Sequence, residues 1–503
     1  MILKITNFLE FTPVLFRFIL PNLNIKRILM KTKLQTLVSL LLLLSMASVS
    51  NAQAPRLWGV TGGGGTMNYG TIICADSTGT NFHVSYNFDY NNGAMPVGSL
   101  CGGGNGKLYG VTYLGGWGDS CVCYDYDTVT EICHNFHNLF QDIDSGWDAM
   151  SGMMMASDGM LYGTCGAGGN NGGGVIYRIN PATDSYSPLF HMNQATGSYS
   201  ICPLIQLPDG KLYGTAAYGG LHSGGTIYSF NPTDSSYTDL FDLDSTWGST
   251  PQYGALLLAT DGKLYGTTQM GGSHNQGVIY SYDVQHGVYA KLHDFDSIEG
   301  YRPMGGLMQA NNGMMYGMTY YGGDYNSGSV FRFNPANNAF AVLHHFSGTD
   351  GAYPQRELTQ ASNGKLYGVT SSGGLNNGGV AFSFDIMTDS LTVLKNFSDI
   401  GCSNPSCDII ETNAHVQAHN TNVPVVSDIA IQCYPNPATD NITLLGQILN
   451  NNSQVEITDM QGRLVSAGSR NGNVINVSML PAGVYAVKVI NGQTLCQGKF
   501  VKQ

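Results

Sequence analysis

The sequence predicts an all-β protein: a seven-bladed β-propeller with four-stranded blades, followed by a small immunoglobulin-like β-sandwich. Composition is the first observation behind this prediction. Of 503 residues, 66 are glycine, and the 29 tyrosines outnumber the 22 lysines and arginines together. Such a chain is poor in helix formers and rich in turn and strand residues. The second observation is a phrase that returns about every 51 residues, and the third is the way in which the repeats begin and end.

The repeated phrase is Leu-Tyr-Gly or a close variant. It occurs seven times, at residues 57–59, 108–110, 161–163, 212–214, 264–266, 315–317 and 366–368. A full repeat contains an apolar stretch, an Asp-Gly or Asn-Gly turn, the Leu-Tyr-Gly strand, a Gly-Gly loop, a third strand, a turn and a fourth strand, and in three repeats the turn before the fourth strand is Asn-Pro. Asp-Gly and Asn-Gly between apolar runs are strong hairpin signals. Four short strands in this length are typical of one propeller blade, and the longer periodic segments of helical repeats are missing.

The two ends of the repeat array indicate a closed ring. The first copy starts at its second strand, since nothing before Leu57 resembles a first strand, and an unmatched first strand follows the last copy. We therefore expect residues 405–411 to complete the first blade and join the two ends. An open solenoid is the alternative, but it needs no such permutation and usually carries capping repeats.

The N-terminal segment has the features of an export signal. Lys31 and Lys33 precede an apolar run at residues 37–46, and the small residues Ser50 and Ala52 supply a cleavage site. The run is too short for a transmembrane anchor, which needs about 20 apolar residues. Met30 looks like the natural start. The predicted organisation is a leader at 1–52, a propeller at 53–411, a flexible linker at 412–428 and a final domain at 429–503.

Charge and cysteine content restrict the possible partners. The net charge is −12 and no Lys/Arg cluster follows the leader, so nucleic acid is not expected as a partner. Eleven cysteines in an exported chain make disulfides possible. Two pairs are candidates: Cys123 with Cys133, on either side of a turn centred on Thr128, and Cys402 with Cys407, across a short loop. No cysteine spacing fits a zinc site, so no metal site is predicted.

The repeat resembles known families. Leu212-Tyr213-Gly214, the doublet Gly219-Gly220 and the phrase from Tyr228 to Thr233 resemble a kelch repeat. A closer resemblance is to the bacterial tandem repeat called GloVer, with its Leu-Tyr-Gly-Thr-Thr and Gly-Gly phrases, and it covers residues 57–411. That resemblance implies a propeller-like array and assigns no biochemical role.

The C-terminus resembles the type A sorting domain of the type IX secretion system. The residues that carry this resemblance are Tyr434, Pro435, Asn436, Pro437, Gly462, Arg463, Pro481, Gly483, Tyr485 and Lys499. It implies a Gram-negative host and export across the outer membrane, with the type IX translocon and its sorting protease as partners. It also implies removal of this domain, with the remainder secreted or held at the outer cell surface.

Loops that vary between blades are the candidate binding positions, because loops on a rigid scaffold usually carry binding. The loops joining strands two to three and strands four to one are expected on one face. Their candidate ligand residues are Trp117, Trp147, His222, Trp247, His274, Tyr301, Tyr325 and Tyr353. Aromatic rings and carboxylates around a central depression suit carbohydrate. The alternative is that these rings pack under their own loops while the aspartates form Asx turns.

Catalysis is not expected. A pair of aspartates separated by one residue recurs in three blades, at 142/144, 242/244 and 294/296, whereas an active site normally occurs once. No cofactor is predicted, and calcium is the one ion that these loops suggest. We expect a secreted or cell-surface, non-catalytic propeller that binds glycan or protein. The alternatives are a secreted polysaccharide-active hydrolase or lyase, with acids in the central depression, and a structural surface-layer component.

Overall fold

The computed structural model describes residues 55–103, 105–116, 121–139, 144–405, 407–412, 429–430, 432–434, 438–445, 453–459, 464–470, 474–491 and 494–502. The predicted leader and residues 413–428 of the predicted linker lie outside these residues, whereas Thr412, predicted as the first linker residue, belongs to a strand. The described residues form strands and two short 3-10 helices, at Leu375–Asn377 and Phe397–Ile400. None of them forms a helix long and apolar enough to cross a membrane.

Seven antiparallel sheets follow one another along the chain, and each is one blade. Blade 1 contains β1 Arg56–Gly64, β2 Thr71–Asp76 and β3 His83–Asn87, and blade 2 contains β4 Ala94–Gly102, β5 Lys107–Leu114, β6 Val122–Asp127 and β7 Cys133–Asn138. Blade 3 contains β8 Met154–Met155, β9 Leu161–Cys165, β10 Val175–Asn180 and β11 Ser185–His191, blade 4 contains β12 Ile205–Gln206, β13 Leu212–Ala216, β14 Thr226–Asn231 and β15 Ser236–Asp242, and blade 5 contains β16 Leu257–Leu258, β17 Leu264–Thr268, β18 Val278–Asp283 and β19 Val288–Asp294. Blade 6 contains β20 Met308–Gln309, β21 Met315–Thr319, β22 Ser329–Asn334 and β23 Ala339–His345, and blade 7 contains β24 Thr359–Gln360, β25 Leu366–Thr370, β26 Val380–Asp385 and β27 Ser390–Asn396. The predicted seven-bladed propeller is confirmed.

Blade 1 is completed from the far end of the array. Two more strands, β28 Cys402–Pro405 and β29 Ile410–Thr412, pair antiparallel with β1. Trp58 pairs with Ile410, and Gly64 pairs with Cys402. We call residues 402–412 the closing segment. Ring closure by this part of the chain, predicted for residues 405–411, is confirmed.

The Leu-Tyr-Gly phrase is a packing unit. The tyrosine is buried and its hydroxyl bonds to the Asp or Asn four residues earlier in the preceding turn, as Tyr265 does to Asp261 at 2.8 Å. The glycine is needed for space: a Cβ on Gly266 would lie 2.4 Å from the hydroxyl of Tyr280, which crosses it from the third strand. Tyr265 also packs into the next blade, beside Leu307.

A side-chain hydrogen bond connects neighbouring blades. The Thr260 amide donates to Gln309 Oε1 at 2.9 Å, and the Asn311 amide donates to Gln360 Oε1 at 2.8 Å, so that a turn in one blade is bound by the first strand of the next. At the ring closure the Ser362 amide donates in the same way to Glu411 Oε2 at 2.8 Å. The closing segment therefore uses the contact that joins the other blades.

The C-terminal region contains two sheets. Its strands are β30 Ile429–Ala430, β31 Gln432–Tyr434, β32 Asn441–Leu445, β33 Ser453–Asp459, β34 Leu464–Arg470, β35 Val474–Asn476, β36 Gly483–Asn491 and β37 Thr494–Lys502. One sheet has the order β30-β37-β36-β33-β34 and the other β31-β32-β35. Ile442 and Ile475 from the smaller sheet share a core with Ile457 and Val487 from the larger. A small two-sheet β-domain is therefore present, and its immunoglobulin-like character stays a prediction.

The predicted disulfide geometry is wrong. Cys133 pairs across its hairpin with Tyr126, and Cys123 pairs with His137, so the two cysteines do not face each other. Cys402 pairs with Gly64, whereas the Cys407 thiol accepts a hydrogen bond from the Val60 amide at 2.7 Å, several residues along β1. All four are free thiols in the described chain.

Candidate functional site

Two sets of loops meet on one face of the ring. The loop leading into the first strand bridges the loop after the second strand of its own blade, as Ser198 does with Tyr218 and Tyr301 with Tyr321. First strands of adjacent blades approach closely: a Cβ on Gly254 would lie 2.6 Å from the Gly306 nitrogen. These first strands therefore surround the axis, and the two loop sets surround the opening of the axis, as the sequence predicted.

Seven non-glycine residues with left-handed backbone surround this opening. They occupy the same position in every blade and have φ between 51° and 65°: Met95, Asp148, Tyr199, Thr250, Arg302, Tyr353 and Asn404. We call them the mouth ring. A non-glycine residue in this conformation costs about 1–3 kcal/mol, and such strain is found at ligand-binding sites. The conformation also occurs at outer turns, for example at Ser223 and Asn275. For the β-branched Thr250 it is a clear outlier.

Backbone hydrogen bonds hold the mouth ring on both sides. The Tyr353 amide donates to the Ser327 carbonyl at 2.9 Å, and its own carbonyl accepts from the Ser371 amide at 3.2 Å. The equivalent bonds position Tyr199, between the Gly173 carbonyl and the Ala217 amide. The surrounding structure therefore fixes the strained backbone, whichever side chain it carries.

Tyrosines concentrate around the mouth. On the side of blades 6 and 7, Tyr321 stacks on Tyr301 at a ring separation of 5.5 Å, and Tyr320 lies 5.3 Å from Tyr353. Across the opening, Tyr199 lies 5.7 Å from Tyr218, which is 45 % exposed. Aromatic faces that are partly open to solvent are suited to stacking on apolar ligand faces.

Buried polar groups without partners accompany these rings. Arg356, 5 % exposed, places its guanidinium carbon 5.2 Å from the centre of the Tyr253 ring, and its Nε has no hydrogen-bond partner. Asp148 Oδ1 and Gln269 Nε2 are also buried without a partner. Burial raises the pKa of Asp148. Buried polar groups are normally satisfied, so a ligand or a water at the mouth could supply the hydrogen bonds that these three atoms lack.

Below the mouth, acid side chains fill the axis. The residues at the two axial positions of blades 2 to 6 are small: Gly98, Ser99, Ser151, Gly152, Cys202, Pro203, Gly254, Ala255, Gly305 and Gly306. Blade 7 and the closing segment place Glu357 and Asp408 there. The Glu357 amide donates to Asp408 Oδ1 at 2.6 Å, and Ser99 Oγ donates to Asp408 Oδ2. The Ala255 amide donates to Glu357 Oε1 at 2.7 Å.

The predicted ligand residues divide into two groups. Tyr301 and Tyr353 lie among the mouth tyrosines, and Trp147, 49 % exposed, directly precedes Asp148 of the mouth ring. Trp247 packs edge-on against Tyr289 of the outer strand β19, with ring centres 6.1 Å apart. Trp117 lies outside the described residues.

The remaining predicted residues are exposed at the rim. His222, His274 and Tyr325 each follow a residue whose amide is bound by the end of a fourth strand. The Leu221 amide donates to Asp242 Oδ1 at 2.5 Å, and the Ser273 amide donates to Asp294 Oδ1 at 2.8 Å. Their loops therefore fold back to the outer strand, away from the axis.

The recurring aspartate pairs have a structural role in blades 4 and 5. The first member binds the neighbouring loop, as just described for Asp242. The second forms an Asx turn: Asp244 Oδ1 accepts from the Thr246 and Trp247 amides at 2.7 and 2.8 Å. Within the part of the chain that the structure describes, no group of three or more His, Cys, Asp or Glu side chains is arranged to hold a metal ion.

Sequence reasoning missed much of the mouth. Asp148, Tyr199, Tyr253 and Arg356 were not among its candidates. Tyr199 could have been predicted from the sequence, since it occupies the same repeat position as the candidate Tyr353. Arg356 could have been found as the one arginine at an axial position where the other blades carry small residues.

The sorting residues are only partly described. Tyr434, Gly483 and Lys499 lie in strands, and the Tyr485 hydroxyl donates to the Pro481 carbonyl at 2.9 Å. Pro435, Asn436, Pro437, Gly462 and Arg463 lie outside the described residues.

Family comparison covers nearly all of the exported chain. The model of the Gloeobacter/Verrucomicrobia repeat matches residues 45–259 and 249–422. The model of the secretion system C-terminal sorting domain matches residues 432–503. No curated protein matches the chain. The sorting domain implies export by the type IX secretion system to the cell surface or the medium.

Several solved structures are similar to the chain at low sequence identity. A putative 6-phosphogluconolactonase from Bacteroides fragilis is 13 % identical with a TM-score of 0.50, over 72 % of this chain and 99 % of that one. PorZ, a surface component of the type IX system of Porphyromonas gingivalis, is 13 % identical with a TM-score of 0.34, over 86 % and 73 %. TolB from Acinetobacter baumannii is 17 % identical with a TM-score of 0.37, over 57 % of this chain and 62 % of its own length.

Proposed function

The chain belongs to the Gloeobacter/Verrucomicrobia repeat family, and from that premise we propose that it is an extracellular, non-catalytic binding module whose propeller mouth takes glycan. The mouth ring is the observation that carries the proposal. Strained backbone at seven equivalent positions is maintained only where surrounding structure enforces it, and it presents side chains of different chemistry around one opening.

Glycan fits the mouth better than a flat protein surface does. Tyr199, Tyr218, Tyr320 and Tyr353 offer ring faces around a concave opening. The buried atoms Asp148 Oδ1 and Gln269 Nε2 have no hydrogen-bond partner among the described residues. Sugars combine apolar faces with ring hydroxyls, so both features are served by one ligand class.

The alternative of a polysaccharide-active enzyme receives less support. Glycosidases normally use two carboxyls that flank the scissile bond. The axial pair Glu357 and Asp408 is buried and accepts hydrogen bonds from the backbone and Ser99. Asp148 is the single acid on the mouth ring.

A glycan array with the mature secreted chain tests the proposal. Tyr353→Ala removes a mouth ring face and is expected to weaken glycan binding roughly tenfold or more, with little change in the melting temperature. Trp247→Ala is the matched control, because this exposed aromatic lies on the rim against Tyr289. Binding lost in the Trp247 variant but retained in the Tyr353 variant would contradict the mouth as the site, and absence of any glycan binding would reject the function.

A further inference from the structure

An arginine without an acidic partner lies under the mouth. Arg356 is 5 % exposed, its Nε has no hydrogen-bond partner, and no ion pair among the described residues includes it. Burying a charge without a partner is costly, and natural proteins usually pair it. This arginine stands at an axial position where blades 4, 5 and 6 carry Cys202, Gly254 and Gly305, so its side chain is a local addition to the repeat.

The nearby acids form no ion pair with Arg356, although the arginine charge acts on the buried Glu357 carboxyl. Glu357 Oε1 accepts from the Ala255 amide, and both Asp408 oxygens accept hydrogen bonds, from the Glu357 amide and from Ser99. The Arg356 guanidinium lies over the Tyr253 ring, which follows Thr250 of the mouth ring by three residues. Its free N–H is therefore at the tyrosine-lined side of the axis.

Two arginines at the mouth are the groups that would attract an anion. Arg302, on the mouth ring, is exposed and adds a second positive charge to that of Arg356, while the acids Glu357 and Asp408 lie below on the axis. Asp148 is the one acid on that ring, and burial raises its pKa. Tyr253 lies within electrostatic reach of both Arg356 and Asp148, which places the two unsatisfied groups in one neighbourhood.

We propose that the mouth binds a uronate residue of an acidic glycan, with its carboxylate on Arg356 and its hydroxyls on Asp148 and the tyrosines. This proposal rests on the proposed function. A guanidinium presents N–H groups in a planar fork that matches a carboxylate, whereas it has no comparable match for an uncharged sugar. Neutral glycans would use Asp148 and the tyrosines without the arginine.

The test compares acids with their own neutral esters. Polygalacturonate and alginate are each presented to the mature wild-type chain beside the methyl-esterified polymer, which keeps the sugar and loses the charge. At least one acid is expected to bind about tenfold more tightly than its ester, since a charge-assisted hydrogen bond contributes that order of affinity. A sulfated galactan serves as the second anion and is expected to bind more weakly than the preferred uronate.

Two variants locate the effect. Arg356→Gln is expected to lose the preference for the acid while retaining the residual affinity for the ester, and Arg356→Lys to recover part of the preference. Arg302→Gln is the matched control on the mouth ring and is expected to keep most of the preference. The preference for each acid is measured only on variants whose melting temperature shows a folded propeller.

The outcomes separate the two proposals. Equal wild-type binding of acid and ester, or binding of the sulfated galactan that equals the uronate, overturns the uronate site while leaving glycan binding in place. A folded Arg356→Gln variant with an unchanged acid preference also overturns it, and indicates that Arg356 only balances the axial acids. No binding to any glycan overturns the proposed function itself.

Discussion

Blade 1 is assembled from both ends of the repeat array, whereas blades 2 to 7 are each built from one continuous segment. The backbone contacts are the same in both kinds of blade, and the Ser362–Glu411 contact reproduces the Thr260–Gln309 contact between continuous blades. The packing is not the same. Trp58 replaces the repeated tyrosine and its indole N–H is buried without a partner, while Gly59 faces Cys407 instead of an aromatic ring. The closed blade 1 therefore has the same hydrogen bonds as a continuous blade but different side-chain packing.

The closing segment adds an acid side chain, Asp408, to the propeller axis. In blades 2 to 6 the axial positions carry small residues, and their small volume makes room for Glu357 of blade 7 and Asp408 of the closing segment. Asp408 also reaches Ser99 of blade 2. The end of the array is therefore held by contacts to its neighbours on both sides, and three variants test how much this matters.

The largest effect is expected from Asp408→Ala. The change removes the acceptor for the Glu357 amide and for Ser99 Oγ, both buried. Leaving such donors unsatisfied is expected to lower the free energy of unfolding by about 3 kcal/mol, measured by urea unfolding. Asp244→Ala is the control, since its Asx turn lies at an exposed loop, and it should cost about 1 kcal/mol or less. Equal losses would show that the axial contact adds nothing to closure.

A smaller effect is expected from adding one methyl group at the repeated glycine. In continuous blade 5, Gly266→Ala would place Cβ 2.4 Å from the Tyr280 hydroxyl, and overpacking of this kind is expected to cost about 2 kcal/mol. In blade 1, Gly59→Ala would meet the Cys407 sulfur at 3.2 Å and should cost less than about 1 kcal/mol. The two melting temperatures provide the measurement. A larger loss at Gly59 would mean that the closing blade is packed as tightly as the others.

The smallest effect, counted per pH unit, is a dependence of stability on pH. Burial and the neighbouring Asp408 carboxyl raise the pKa of Glu357 well above its ordinary 4.5. Because the folded pKa is the higher one, this stabilisation is complete below the ordinary value and is lost as pH rises toward the folded pKa. The limiting slope for one proton is about 1.4 kcal/mol per pH unit. Unfolding measured from pH 5 upward should show stability falling in the wild type relative to Glu357→Gln, and parallel curves would contradict the assignment.

The fold was predictable because each level of the sequence points to the same blade. The seven Leu-Tyr-Gly phrases, the Asp-Gly turns and the unmatched strand near Ile410 predicted the strands and the closure. The prediction of a disulfide between Cys123 and Cys133 was wrong because it assumed the wrong strand register in their hairpin. The turn between β6 and β7 lies beyond Thr128, with the Asp127 amide bonded to the Ile132 carbonyl, and a bulge follows Cys123. Counting outward from the wrong centre paired the wrong residues.

The site was only partly predictable, because the sequence of a loop does not show how far each of its residues lies from the propeller axis. His222 and Trp247 lie in the correct loops but on the rim, since their loops are anchored to outer strands. Arg356 lies in a stretch that looks like core, where only the comparison of blades shows it as unusual. The left-handed backbone at Tyr199 and Thr250 could not be predicted from residue type, because glycine, which usually marks this conformation, is absent there.

The shared first blade also governs when the ring can form during synthesis. A nascent chain that has passed blade 7 still lacks the strand that seals β1, and it cannot complete the circle until residue 412 has left the ribosome. Chains cut short before that point would expose the edge of β1 and would also lack the sorting domain that follows. Any chain long enough to carry the whole sorting domain has therefore already passed the segment that completes the ring.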